Sequence, residues 1–156
     1  MTGDRITVSH PKLQRLYAYW DAKRGSRRFP ARRDIDPADF AYALSGTVLI
    51  EVLYDPVKFR YRLVGTDLVR RDGYDMTGKM VDEIPEPEFR AFLLKAFKDA
   101  ALRATPSSAI RELRVDYRIR RYETLQLPLS EDGLRPDMLL YCTQDLSPDV
   151  VRSAHP

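Results

Sequence analysis

The sequence predicts an α+β fold, and three observations predict it. Residues 46–64 read as two strands joined by a turn, and residues 85–103 as one long helix with a continuous apolar stripe. Residues 109–143 read as three further strands separated by turn signals. The chain of 156 residues suits a single domain, large enough to bury a core without staples. Its 44% apolar content, with six Phe, nine Tyr and one Trp, marks a folded globule.

The elements follow in order. His10 to about Lys23 has Leu13, Leu16, Tyr17 and Trp20 on one helical face. Ser9 is the expected cap, Pro11 sits in the first turn, and Gly25 is the stop. A basic stretch follows with Arg24, Arg27, Arg28, Arg32 and Arg33, after which Asp36 caps a short helix that begins with Pro37. From Gly46 to Tyr54, Val48, Ile50 and Val52 alternate with Leu49, Glu51 and Leu53. Asp55-Pro56 turns the chain into a hairpin partner, Phe59 to Val64, with Phe59, Tyr61 and Leu63 on one side and Arg60 and Arg62 on the other. Pro85 and Pro87 open the long helix, whose stripe is Phe89, Phe92, Leu93, Ala96, Phe97, Ala100 and Ala101, and Thr105-Pro106 ends it. Ala109 to Tyr117, Tyr122 to Leu129 and Met138 to Thr143 complete the strands, with Leu113, Val115 and Tyr117 read on one face. A polar, mobile tail is expected at 147–156.

The segment from Phe59 to Ile84 is the most specific. A strand runs into Gly65, Thr66 is placed to cap a short helix, Gly73 breaks it, and Asp75-Met76-Thr77-Gly78 leads into another short helical piece. With LYAYWDAKRGSRRFPARRDIDP at 16–37, FRYRLVGTDLV at 59–69 and the glycine turn with DMTGK at 73–79, the chain resembles the PAS domains, in particular small bacterial single-domain members. The resemblance extends from about Lys12 to Leu146. It implies a five-stranded antiparallel sheet with helices on one face, to which the N-terminal amphipathic helix is added. It also implies a sensory or protein-interaction role, and no particular ligand. The expected organisation is a helix and basic linker at 1–35, the PAS domain at 36–146 and the tail at 147–156.

Enzyme chemistry finds little support in these residues, and no catalytic residue is assigned. His10 and His155 stand at opposite ends, and neither a P-loop nor a dinucleotide fingerprint occurs. Asp72 and Asp75 flank a glycine and are read as turn formers. The one cysteine, Cys142, excludes an intramolecular disulfide and a cysteine-built metal site, and is read as a small core residue. Flavin photoreceptors of the resembled fold carry a reactive cysteine after the second strand, where residues 66–84 have none. Haem-binding members commonly supply a histidine from the long helix, and residues 85–103 have none. No cofactor or metal is expected; the alternatives are a small uncoloured ligand or a packed core.

If a pocket exists, the strand periods line it with Val48, Ile50, Val52, Phe59, Tyr61, Leu63 and Tyr117, facing Phe92, Ala96 and Phe97. Tyr61 and Tyr117 are the informative positions, because a buried phenol needs a hydrogen-bond partner. The face Leu13, Leu16, Tyr17 and Trp20 is assigned to self-association, with folding back on the chain's own sheet as the competing placement. The sheet surface around Glu51, Arg60, Arg62 and Arg114 is a second candidate contact. The expected function is a stand-alone cytoplasmic regulatory module that contacts a partner protein, itself included as a homodimer. With no apolar run long enough to span a bilayer and no signal-peptide pattern, no membrane role is expected. The alternative is nucleic-acid or nucleotide-phosphate binding through the arginines at 24–33; against it stands a net charge of only +3.

Overall fold

A computed structural model describes residues 6–147. The tail expected at 147–156, His155 included, lies outside the described residues except for Ser147. The strands β1 (Thr47–Leu53), β2 (Lys58–Val64), β3 (Ser107–Val115), β4 (Arg118–Leu129) and β5 (Met138–Asp145) form one sheet in the order β2-β1-β5-β4-β3. All neighbouring pairs are antiparallel. Helices α1 (Pro11–Arg24) and α2 (Ala41–Leu44) precede the sheet, whereas α3 (Thr66–Asp72) and α4 (Pro87–Arg103) lie between β2 and β3. Among the described residues no helix is long and apolar enough to cross a membrane.

The sheet has a core on each face. On one, Val48, Ile50, Val52, Phe59, Tyr61, Leu139 and Tyr141 meet Leu93, Phe97, Ala100 and Ala101 of α4. On the other, Leu49, Leu125, Leu127, Leu129, Leu140 and Cys142 meet Leu13, Leu16 and Trp20 of α1. The face assigned to self-association is therefore internal: Leu13 and Leu16 are 0% exposed and Trp20 is 3% exposed. Tyr17 is partly buried against the same cluster. The physical reason lies in β4, whose alternate leucines need cover on the side away from α4. Burying each leucine is worth roughly 1.5–3 kcal/mol, so the helix face and the strand face satisfy one another. The indole of Trp20 donates to the Pro128 carbonyl at 2.8 Å. Glu123, 2% exposed, accepts the backbone N–H groups of Ser9 (2.8 Å) and His10 (2.7 Å). Ser9 is thus held by Glu123, and the cap of α1 is His10, whose side chain accepts from the Lys12 N–H at 3.1 Å.

Two local features move residues from their expected places. Leu49 pairs with Leu63 but Ile50 pairs with Tyr61, so Arg62 is an extra residue and the strand bulges. The bulge reverses the side-chain phase beyond it. Leu63 consequently packs in the α1-side core, and Val64 takes the α4 side. At the other end, β3 stops at Val115, and Asp116 and Tyr117 form the hairpin turn with φ of 51° and 64°. Two positive φ values at the tip are the signature of a type I′ connection.

The arginines of the basic stretch make contacts within the chain. Arg24 pairs with Asp21 at 2.7 Å, Arg27 with Asp34 at 3.0 Å, and Arg33 with Glu131. Arg32 donates to the Ile35 carbonyl at 2.7 Å, and Arg28 lies over the Phe29 ring.

Candidate functional site

The site is built from the connection between β2 and α4. Gly65 caps α3 without a side-chain bond, and Thr66, the expected cap, is the first helical residue. Glycine is required here by proximity: a Cβ would lie 2.2 Å from the Ser45 carbonyl oxygen. That same oxygen accepts the Asp67 N–H at 2.9 Å, which fixes the start of the helix. Gly73 ends it in the left-handed region, with φ of 84°. Residues 78–80 then run beside β2: the Gly78 N–H donates to the Tyr61 carbonyl at 2.8 Å, and the Tyr61 N–H donates to Lys79 at 2.9 Å. Asp75 accepts the Thr77 N–H and hydroxyl at 2.9 and 2.6 Å, a turn-forming role as expected.

These restraints turn Leu68, Arg71, Asp72 and Met76 toward α4, where they enclose a cavity of about 30 Å³. Val48, Tyr61, Val64 and Tyr141 close it from the sheet, Phe89, Leu93 and Phe97 from α4, and Arg111 from β3. A space of that size accepts roughly one or two water molecules. Arg71, Asp72, Tyr74 and Phe89 also border a second, more open hollow of about 300 Å³ that reaches Leu113 and Val115.

The electrostatics of this wall are unusual for an apolar core. The Arg71 Nε donates to Asp72 at 2.9 Å, with side chains 12% and 22% exposed. Burial disfavours the Arg71 charge, but the hydrogen bond and charge of Asp72 outweigh it and raise the pKa. The guanidinium of Arg111 lies 4.0 Å from the Phe92 ring centre and 5.8 Å from that of Phe89. Burial lowers the Arg111 pKa, a trend that Tyr141 opposes and the Arg71 charge reinforces. Arginine stays charged through such shifts. Arg71 Nη1 and Arg111 Nε are both buried without a hydrogen-bond partner. Burial, followed by Asp72 and Tyr141, raises the pKa of Tyr61 and keeps its phenol neutral. Its ring lines the cavity.

Of the expected pocket residues, the structure brings Val48, Tyr61 and Phe97 to the cavity. Ile50, Val52 and Phe59 lie on the same face but serve as packing, with the Phe59 ring 5.8 Å from that of Phe97. Leu63 is turned away by the bulge. Phe92 is 44% exposed and holds Arg111 from outside; Tyr117, at the hairpin tip, is 94% exposed. Asp72, read as a turn former, is instead the ion-pair partner of Arg71. Arg111 and Tyr141 were legible in part, since each falls in phase with apolar residues of its strand, Leu113 and Leu139.

A family model described as PAS domain matches residues 8–142 of the chain. The chain belongs to the PAS domain family. No curated protein matches the chain. Among solved structures, the PAS domain of Bordetella pertussis BvgS superposes with a TM-score of 0.55 and 14% identity, over 72% of this chain and 88% of that one. A sensory box sensor histidine kinase from Vibrio cholerae gives 0.51 and 21%, over 72% and 90%. A light-oxygen-voltage domain associated with a flavin analogue gives 0.51 and 13%, over 74% and 87%. At these identities the likeness establishes the fold. PAS domains typically serve as sensory and signalling modules.

Proposed function

We propose that this PAS domain is a sensory module that links occupancy of the α3–α4 pocket to non-covalent contact with a partner protein. The observation that carries the reading is a pair of cavity-lining arginines, Arg71 and Arg111, each with a buried guanidinium nitrogen that lacks a hydrogen-bond partner among the described residues. Buried polar groups are normally paired, and those at a cavity are paired by what enters it. A ligand shifts a contact only through its differential affinity for two arrangements of the chain. Short α3 and the glycine-bounded segment after it are the elements such a ligand touches.

The Glu51, Arg60 and Arg62 cluster on β1 and β2 stays partly exposed and is the proposed contact surface, with a second copy of the chain as the first partner to test. Self-association through the α1 face is no part of the reading. Engagement of the arginines at 24–33 within the chain leaves nucleic-acid binding without an observation in its favour. The reading is non-enzymatic: the His10 imidazole is used as a helix cap, and the Cys142 thiol is buried on the α1 side. An uncoloured ligand is preferred to flavin or haem on the same grounds as in the sequence, a segment 66–84 without cysteine and an α4 without histidine. A lone reduced cysteine suits a cytoplasmic setting.

Native mass spectrometry of freshly purified protein beside its denatured mass tests this. Retained mass that disappears in Leu68→Phe, which fills the cavity, supports the reading. Identical bare spectra for both proteins, with no change of assembly on adding a metabolite extract, would refute it.

A further inference from the structure

We propose that the pocket takes a small organic monocarboxylate, held at its carboxylate by Arg71 and Arg111. The inference rests on the reading of the cavity as a ligand site and names the chemistry of what fills it. Four buried side-chain polar atoms lack partners among the described residues: Arg71 Nη1, Arg111 Nε, Gln126 Oε1 and Thr143 Oγ1. All four belong to the α4 side of the molecule. Gln126 stands opposite Tyr141 and Thr143 opposite Thr124, in the strand phase that faces α4. Of these four residues, Arg71 and Arg111 line the cavity, and both are cations.

The charge count selects a monoanion. Two guanidinium groups and one carboxylate, Asp72, leave a single net positive charge at the cavity wall. Stacking positions both cations, since Arg71 and Arg111 lie 6.0 and 5.8 Å from the Phe89 ring centre. Planar guanidinium edges match the two oxygens of a carboxylate, and charge-assisted bonds are the strong ones. The Tyr61 hydroxyl, kept neutral by burial, supplies a further donor from the same wall. Val64, Leu68, Met76 and Leu93 form an apolar part of the wall that suits a short hydrocarbon body.

The test is calorimetric titration of the full chain with formate and acetate, which match a cavity of about 30 Å³, beside their neutral amides and inorganic phosphate at matched ionic strength. At least one acid is expected to bind, with its amide roughly 10-fold or more weaker. Arg111→Gln removes a charged bond and should weaken that acid roughly 10- to 100-fold, with an unchanged circular dichroism spectrum. Tyr61→Phe, which preserves shape, should weaken it roughly 3- to 10-fold and serves if Arg111→Gln fails to fold. Neither acid binding, an amide as tight as its acid, or phosphate tighter than both acids would overturn the assignment. A neutral compound retained in native spectra also overturns it while the sensory reading stands. Acid binding that changes no protein contact leaves the assignment standing and sinks the sensory reading.

Discussion

Leu16→Ala separates a helix that belongs to the core from one that meets a second molecule. Leu16 is 0% exposed between α1 and the leucines of β4, so truncation leaves a hole that a helix tied at both ends cannot close. Glu123 holds its start through two backbone N–H groups, and Trp20 anchors its last turns on Pro128. Leucine-to-alanine changes at such sites cost about 2–5 kcal/mol. With a packed environment and little room to relax, we expect about 3 kcal/mol. For a domain of this size each kcal/mol lowers Tm by about 2–4 °C, which places the loss near 6–12 °C. Thermal melts by circular dichroism at two protein concentrations, beside size-exclusion chromatography, give the assay. The loss should be independent of concentration and the elution volume unchanged. A Tm within 2 °C of the parent, or a concentration-dependent Tm with a lighter assembly, would refute the intramolecular role of α1.

Three further outcomes follow from the same geometry. Gly65→Ala sets a Cβ 2.2 Å from the Ser45 carbonyl oxygen and should lower stability by about 1–3 kcal/mol in urea; an unchanged midpoint would contradict the close approach. Tyr61 has a pKa raised above the ordinary 10.0, so the folded chain keeps a proton that the unfolded chain releases near pH 10. Stability should therefore fall as pH rises above about 10, and less steeply in Tyr61→Phe; parallel curves would exclude Tyr61 as the source. Cys142 is 0% exposed and burial pushes its thiol pKa up, so a disulfide reagent should react only as the protein opens. Stoichiometric labelling within seconds in native buffer would show that the strand is not buried as described.

The strands and α4 were legible because alternation and helical period are strong signals in Val48 to Val52 and in Leu93 to Ala101. The destination of α1 was not, since an amphipathic stripe states only that it needs an apolar partner, not which molecule supplies it. Glu123 was equally silent: nothing in a strand sequence tells that two N–H groups from residues 9 and 10 converge on it. Leu63 was misplaced by one bulged residue, Arg62, which carries no glycine or proline to announce it. Tyr117 was misplaced because its turn, Asp116-Tyr117, lacks glycine despite two positive φ values. The charged part of the pocket was the hardest to see. Asp72 reads as a turn former beside Gly73, and only the capping at Gly73 and the pairing of residues 78–80 with β2 turn it and Arg71 inward.

Methyl NMR tests the central claim most directly. Val48, Val64, Leu68, Met76 and Leu93 report from the cavity, while Leu13, Leu16, Leu125 and Leu127 report from the opposite core as internal controls. Spectra recorded while a deproteinised metabolite extract is added should shift the first group and leave the second in place. Resonances that do not move, or shifts spread equally over both faces of the sheet, would contradict a ligand-responsive pocket between α3, α4 and the sheet.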